Sequence, residues 1–233
     1  MGMRQVGEEA VGEGADHGLE RRSVIAAMAA AAGITGPIIF VLVVIMQSLL
    51  HPDYSQVKLP ISALAAWPGG WVQDVNFVLF GLLMISFAIG LHLGIRPSRA
   101  GVIGPALLVL SGVGLIIAGL FPWRTVDGDF VVPAGHLLGA LLSFLGAGTG
   151  FIVVSRRLAG DPRWRSVATY ALASGIVIAV LFVATFALVI PSDAPLHSSG
   201  GLVQRVTLAV WFPCTVVLAH RLLRVVRTND APR

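Results

Sequence analysis

The chain has 233 residues, of which 56% are hydrophobic and only 12% are charged. A soluble domain carries about twice that share of charged residues, and a mean hydropathy of +0.85 is too high for a single core with a polar surface. A water-soluble globular enzyme is therefore excluded. A secreted module built on disulfides is excluded too, because Cys214 is the only cysteine and has no partner within the chain.

Six apolar segments are long enough to cross a bilayer, which takes about 20 helical residues. They cover residues 24–50, 74–95, 102–122, 136–155, 167–190 and 203–226. Pro37, Pro105 and Pro213 lie inside these spans, whereas other prolines lie at their edges, where a helix can end. The sequence therefore predicts an all-α integral membrane protein, a bundle of six transmembrane helices.

Polar tails flank the predicted membrane domain, which covers residues 23–226. Residues 1–22 are rich in Gly and Glu and contain no apolar run, so we expect a disordered cytoplasmic tail. Residues 227–233 form a second, short cytoplasmic tail. The first span is too long for the apolar part of a usual signal peptide, and its alanine-rich stretch lies at its start, which predicts a retained helix.

Basic residues are distributed unevenly between the two sides of the predicted membrane. Thirteen of the sixteen lie on the side that carries both tails, and only Lys58, Arg124 and Arg205 lie on the other side. The positive-inside rule then predicts a cell-membrane protein with both termini cytoplasmic. It also accounts for the pI of about 10.2, so we expect no nucleic-acid partner.

The connection after the first span, residues 51–73, is too long and too apolar for a simple turn. Residues 61–67 are expected to lie on the bilayer or to re-enter between helices, and such a loop can also form a lid over a pocket. Trp67 and Trp71 suit an interfacial belt. Ser62 is expected to cap a short helix that begins at Ala63.

Three ionisable residues lie at predicted helix starts on the outward side: Asp74 at the second span, His136 at the fourth and Arg205 at the sixth. Arg205 is close to hydrocarbon, where a charge is costly unless it is paired or reaches water. Three roles are open for Arg205: snorkelling to the interface, a substrate contact or an ion pair. The candidate partners for the ion pair are Asp127, Asp129 and Asp193. His136 opens the fourth span, where a helix cap and a catalytic role are both open.

Short sequence pieces on this side recur in a fixed order. They are HPDYS and ISALA after the first span, GLFP after the third, GHLLGA opening the fourth and GLVQR opening the sixth. Over about residues 25–225 the chain resembles the six-helix bacterial membrane family catalogued as domain of unknown function 998. The resemblance implies no activity. It implies recurring polar positions at His51, Ser62, an aspartate of the 127–129 pair, His136 and Arg205.

Several common kinds of site have no signature in the sequence. There is no HExxH or CxxC metal motif, no GxSxG around a serine, and no P-loop or dinucleotide fingerprint. We therefore predict neither a metal nor a cofactor. The GAGTG segment at 146–150 lies within the fourth span, where small residues favour close helix packing.

An acid–base site is the most economical chemical interpretation. A desolvated carboxyl with a raised pKa can donate a proton to an apolar substrate, as proton-initiated, terpene-cyclase-like cyclisation of an isoprenoid requires; a lipid hydrolase is a related possibility. The candidate catalytic residues are Asp53, Asp127, Asp129 and His136. The candidate substrate-binding residues are His51, Ser62, Trp67, Trp71, Gln204 and Arg205.

The alternative is a non-enzymatic lipid-binding or accessory membrane protein that uses the same outward pocket. Both hypotheses expect membrane lipids and an apolar lipid or isoprenoid as partners. A transporter is less favoured, because the six spans show no clear inverted repeat and their centres lack the charged residues that coupling usually needs.

Overall fold

A computed structural model of the chain describes residues 2–95, 98–190 and 193–229, with side chains for those between 23 and 227. Six long helices form its framework: α1 (Gly2–Leu50), α2 (Trp71–Gly94), α3 (Arg99–Leu120), α4 (Ala134–Ala159), α5 (Arg165–Leu188) and α6 (Gly200–Asn229). Among the described residues, all six are long and apolar enough to cross a membrane. The predicted six-helix membrane fold is confirmed.

The predicted tails lie largely outside the described side chains. The backbone bounds of α1 begin at Gly2, and its apolar stretch is assigned from Ser23 onward. The disorder expected for residues 1–22 and the short tail expected at 227–233 both stay predictions.

The helices form a closed ring in chain order. Each helix packs on the next one along the chain, α6 packs on α1, and α2 also contacts α6. The outside of the ring is apolar: Met28, Leu42 and Val183 are each at least 60% exposed. Because such large apolar surfaces are rare on soluble monomers, this exterior suits contact with lipid chains.

Glycines allow several of these helices to approach closely. A Cβ added at Gly112 of α3 would lie 2.7 Å from the carbonyl oxygen of Gly81 in α2. One added at Gly148 of α4 would lie 3.2 Å from the carbonyl oxygen of Gly175 in α5. Small residues at helix contacts are the usual means of packing in membranes, so the glycines of the GAGTG segment serve helix packing as predicted.

The two ends of the ring differ in their connections. At one end the turns are short and arginine-rich, and Gly94, Trp164 and Leu222 meet there; we call this the basic end. At the other, the loop end, lie residues 51–70, 121–133 and 193–199 with the connections they contain.

The loop end contains three small elements that the hydropathy pattern does not specify, one of which is a single-turn 3₁₀ helix at His197–Ser199. A short 3₁₀ helix, Ile61–Ala66, is buried and contacts α1, α2 and α6, so this segment packs between helices. It begins at Ile61 without a side-chain cap, and the expectation that Ser62 caps a helix starting at Ala63 is wrong. Strands β1 (Arg124–Val126) and β2 (Asp129–Val131) form an antiparallel hairpin.

Candidate functional site

A cleft of about 380 Å³ lies between α1 and α6 at the loop end. Its volume lies within the range of about 300–1,000 Å³ typical of small-molecule sites. We call it the α1–α6 cleft, and it is lined by Phe40, Val41, Val44, Ile45, Ser48, Gln56, Ile61, Arg205, Leu208, Ala209, Phe212 and Pro213. Three of these side chains are polar, Ser48, Gln56 and Arg205, and the others are apolar.

The residues at the sides of the cleft reach the outer surface of the bundle. Val41 is 41% exposed and Ile45 is 50% exposed, and Ala209 and Pro213 are exposed on α6. At the bottom, Phe40 and Phe212 are buried and their ring centroids lie 5.4 Å apart. The cleft therefore has an aromatic floor and opens sideways, where the apolar exterior of the ring faces lipid.

Arg205 closes the loop-end side of the cleft by binding the first loop. Its Nη1 donates hydrogen bonds to the backbone carbonyls of Gln56 at 2.6 Å, Leu59 at 3.2 Å and Gly201 at 3.1 Å. Its Nη2 donates to the hydroxyl of Tyr54 at 2.8 Å. Apart from the contact with Gly201, one turn back on α6, these contacts join residues about 150 positions apart and fix loop 51–60 over the start of α6.

The prediction that Arg205 forms an ion pair with one of the candidate aspartates is wrong. Within the described residues, Arg205 forms no ion pair with Asp127, Asp129 or Asp193, and its acceptors are neutral carbonyls and a phenol. The loop arginine that approaches an acid is Arg124, whose Nη1 lies 3.6 Å from Oδ2 of Asp74. An irregular loop leaves backbone carbonyls unpaired, and these can accept the hydrogen bonds of a guanidinium as a carboxylate does. They do not neutralise its charge.

Tyr54 is a site residue that the sequence analysis did not single out. Its side chain is 5% exposed, its hydroxyl donates to the carbonyls of Leu59 or Pro60 at 3.1 and 3.0 Å, and its ring lies 5.6 Å from the guanidinium carbon of Arg205. Burial raises the pKa of the Tyr54 hydroxyl, although the hydrogen bond and the charge of Arg205 act against this rise. The phenol is therefore neutral at physiological pH, and its only sequence signal was its place in the HPDYS piece.

Gln204 holds the start of the 3₁₀ helix against α6. Its Oε1 accepts a hydrogen bond from the backbone N–H of Ile61 at 2.6 Å. Gln204 and Arg205 are consecutive on α6, so one turn of this helix holds both the first loop and the start of the 3₁₀ helix. Both residues were predicted to bind a substrate, and the structure shows that both also hold the first loop and the 3₁₀ helix in place.

A second cavity, of about 30 Å³, lies inside the bundle beneath the 3₁₀ helix. Its polar wall consists of Ser62, His136, Ser143 and Gln204. His136 is buried, and its Nδ1 donates to the carbonyl of Ala118 at 3.0 Å, which links α4 to α3. A space of this size holds about one water molecule, so it has no room for a lipid.

The predicted catalytic acids are not brought to either of these cavities. Asp127 and Gly128 form the turn of the β hairpin with φ of 52° and 92°, the left-handed geometry of a tight two-residue turn. Asp127, Asp129 and Asp53 are all exposed, and no acid lines either cavity. The structure therefore separates these three carboxyls from His136.

The remaining predicted residues lie around the first loop. The rings of His51 and Trp67 are 5.3 Å apart, and Trp67 meets Tyr54 edge-on at 6.4 Å, so Trp67 packs under the loop. Trp71 is 67% exposed at the start of α2, as an interfacial residue would be. Among the described residues, no three His, Cys, Asp or Glu side chains are close enough together to hold a metal ion.

The fold and the cleft define a class of protein: a multi-pass helical membrane protein with an apolar, laterally open site capped by an arginine-anchored loop. Residues 34–221 match the family described as "Protein of unknown function (DUF998)". Because the match covers most of the chain, the chain belongs to this family, as its sequence pieces indicated. No curated protein and no solved structure matches the chain.

Proposed function

We propose that this protein binds a lipid in the α1–α6 cleft, as a non-enzymatic lipid-binding or accessory protein of the cell membrane. The observation that carries the proposal is a cleft of about 380 Å³ with nine apolar and three polar lining side chains. Apolar pockets with a few convergent polar groups are the usual form of small-molecule sites. In a membrane, the ligand most available to a laterally open apolar pocket is a lipid or isoprenoid chain.

The proposed orientation follows from charge. The basic end carries most of the arginines, so it faces the cytoplasm together with both termini. The cleft and its loop then lie near the extracytoplasmic surface, where a polar head group reaches water while its chain stays between α1 and α6.

The acid–base enzyme remains an untested alternative, and the geometry favours lipid binding over it. Proton donation to an apolar substrate needs a carboxyl at the substrate pocket. The exposed positions of Asp53, Asp127 and Asp129 provide none in either cavity described above.

A cleft-filling substitution tests the proposal. Ala209 is exposed and lines the cleft, so Ala209→Phe fills it without overpacking the core. Ala173→Phe is the matched control, since Ala173 is exposed on α5 and does not line the cleft. The measurement is lipid retained per purified protein after detergent washing, quantified by extraction and mass spectrometry.

We expect wild type and Ala173→Phe to retain about one lipid per chain, and Ala209→Phe to lose most of it. Both variants should keep the helical content of wild type in detergent. Equal lipid retention in Ala209→Phe and Ala173→Phe, or no retained lipid in the wild type, would refute binding in this cleft.

A further inference from the structure

Resting on the proposed lipid site, we infer that its ligand is a single-chain lipid whose head carries one negative charge. The inference depends on three features of the α1–α6 cleft: an uncompensated guanidinium, an unpartnered buried hydroxyl and a limited volume.

Arg205 brings an uncompensated positive charge to the cleft wall. All four of its hydrogen-bond acceptors among the described residues are uncharged. A charge close to hydrocarbon is costly unless it is paired, so an anion at this position would lower the free energy of the bound state.

Arg205 also has hydrogen-bond donors to spare. A guanidinium has five N–H donors. Nη1 and one proton of Nη2 serve the loop and the carbonyl of Gly201, whereas Nε and the second Nη2 proton have no acceptor in the described part of the chain. Two such donors are what a carboxylate or phosphodiester uses when it binds arginine in a bidentate manner.

Ser48 supplies the second, independent observation. Its side chain is 9% exposed, it lines the cleft, and its Oγ has no hydrogen-bond partner within the described residues. A buried hydroxyl without a partner is unfavourable, because it has given up its hydrogen bonds to water. A polar head group that reached it would supply the missing partner.

The volume and the charge limit the ligand further. A cleft of about 380 Å³ is near the lower end of the range for ligand pockets, which favours one apolar chain over two. One guanidinium balances one negative charge. Carboxylates and phosphodiesters both have this charge, so a fatty acid and a lysophospholipid with an uncharged head substituent share the required chemistry.

Competition binding tests the head group. Purified protein in detergent is loaded with radiolabelled palmitate, which is displaced by unlabelled palmitate, by methyl palmitate or by palmitoyl lysophosphatidylglycerol. We expect palmitate to compete at least about 10-fold better than methyl palmitate, which has the same chain but no charge, a difference of about 1.4 kcal/mol. The phosphodiester arm then shows which of the two anions binds more tightly.

Variants assign the effect to residues. Arg205→Gln should bring palmitate down to the affinity of methyl palmitate, and Ser48→Ala should weaken palmitate several-fold. Tyr54→Phe is the loop control: it loosens the same loop but keeps the guanidinium, so it should weaken both palmitate and methyl palmitate while keeping the ratio of their affinities. Arg205→Lys should retain part of it through charge alone.

The outcomes separate the two proposals. If wild type binds methyl palmitate as tightly as palmitate, the anionic head is wrong while lipid binding stands. If Tyr54→Phe loses the anion preference as fully as Arg205→Gln, the effect comes from loop disorder and the assignment to Arg205 is wrong. If neither ligand binds the wild type, lipid binding itself fails and the head-group inference fails with it.

Discussion

The guanidinium of Arg205 donates a hydrogen bond of 2.8 Å to the hydroxyl of Tyr54, across 151 positions of sequence. The same hydroxyl donates onward to the carbonyls that end the first loop. One chain of hydrogen bonds therefore runs from the Arg205 guanidinium through the Tyr54 hydroxyl to the backbone carbonyls, and it holds loop 51–60 against α6. Because the loop supplies Gln56 to the cleft wall and leads directly into Ile61, which also lines it, the shape of the cleft depends on this contact.

A double-mutant cycle measures that dependence. Tyr54→Phe should lower the free energy of unfolding by about 2 kcal/mol, since a hydrogen bond to a charged group contributes about 1.5–3 kcal/mol. Arg205→Ala should cost at least as much, because it removes four hydrogen bonds. The double variant should cost less than the two single variants together, with a coupling of about 1 kcal/mol. Reversible unfolding with an anionic detergent gives the three values, and strictly additive losses would contradict the coupling.

Titration of Tyr54 checks the electrostatics of the same contact. Tyr54 and Tyr170 are the two tyrosines of the chain, so Tyr170→Phe leaves Tyr54 as the sole phenol. Its ultraviolet phenolate signal should have a midpoint above the ordinary value of 10.0, because burial raises this pKa. Arg205→Gln should move the midpoint higher still, since Arg205 opposes the rise. A midpoint at or below 10.0 in Tyr170→Phe would contradict burial as the dominant cause.

The sign of the linked stability follows from that direction. A group whose folded-state pKa is raised keeps its full contribution below its unfolded pKa and loses it as the pH rises through the folded value. The contribution of Tyr54 is therefore complete at neutral pH and falls only above about pH 10. Tyr54→Phe should abolish this alkaline loss.

The basic end contains a buried carboxylate, Asp161, whose contribution to stability is lost at acidic pH and not at alkaline pH. Asp161 is 1% exposed and accepts hydrogen bonds from Nη2 and Nε of Arg163 at 2.9 and 3.2 Å, and Nη2 of Arg157 lies 3.5 Å away. The hydrogen bond from the Arg163 side chain is the main reason that the pKa of Asp161 is lowered. The stability that it contributes is therefore complete above the ordinary range of an aspartate and is lost as the pH falls through the lowered pKa.

Asp161→Asn should lower stability at neutral pH by about 2 kcal/mol and should flatten the acid end of the stability profile. Thermal midpoints in detergent, taken from neutral to acidic pH, give both quantities. Asp53→Asn is the control, since Asp53 is exposed and forms no ion pair among the described residues. A neutral-pH midpoint of Asp161→Asn equal to that of wild type would show that the carboxylate is not a structural anchor.

Hydropathy was sufficient to predict the helices, because a span of about 20 apolar residues has few other stable forms in a membrane. The loop end was harder to predict. The Asp127-Gly128 pair is a strong turn signal, but short exposed strands have little apolar alternation to indicate them. The acceptors of Arg205 could not be inferred at all, because which carbonyls a loop leaves unpaired depends on its three-dimensional path and not on residue type.

The aspartates illustrate a second limit of the sequence. Asp127 and Asp129 lie next to apolar residues in the chain, which made a desolvated carboxyl plausible. In the hairpin both side chains are exposed, Asp127 in the turn and Asp129 at the start of β2. Proximity in sequence to an apolar span therefore does not imply burial, whereas the buried Tyr54 lies in a polar stretch.

The last prediction concerns the orientation of the whole bundle, on which the side of the cleft depends. Thirteen of the sixteen basic residues belong to the side with both tails, and this excess predicts a cytoplasmic basic end. In a Cys214→Ser background, single cysteines at Thr125 and Ser198, both exposed at the loop end, should react with a membrane-impermeant thiol reagent in intact cells. Cysteines at Ser98 and Ser166, both exposed at the basic end, should react only after the cells are opened.

The buried native Cys214 is removed so that every signal has one source. Labelling of positions 98 and 166 in intact cells, with positions 125 and 198 protected, would reverse the topology and place the cleft in the cytoplasmic half of the membrane.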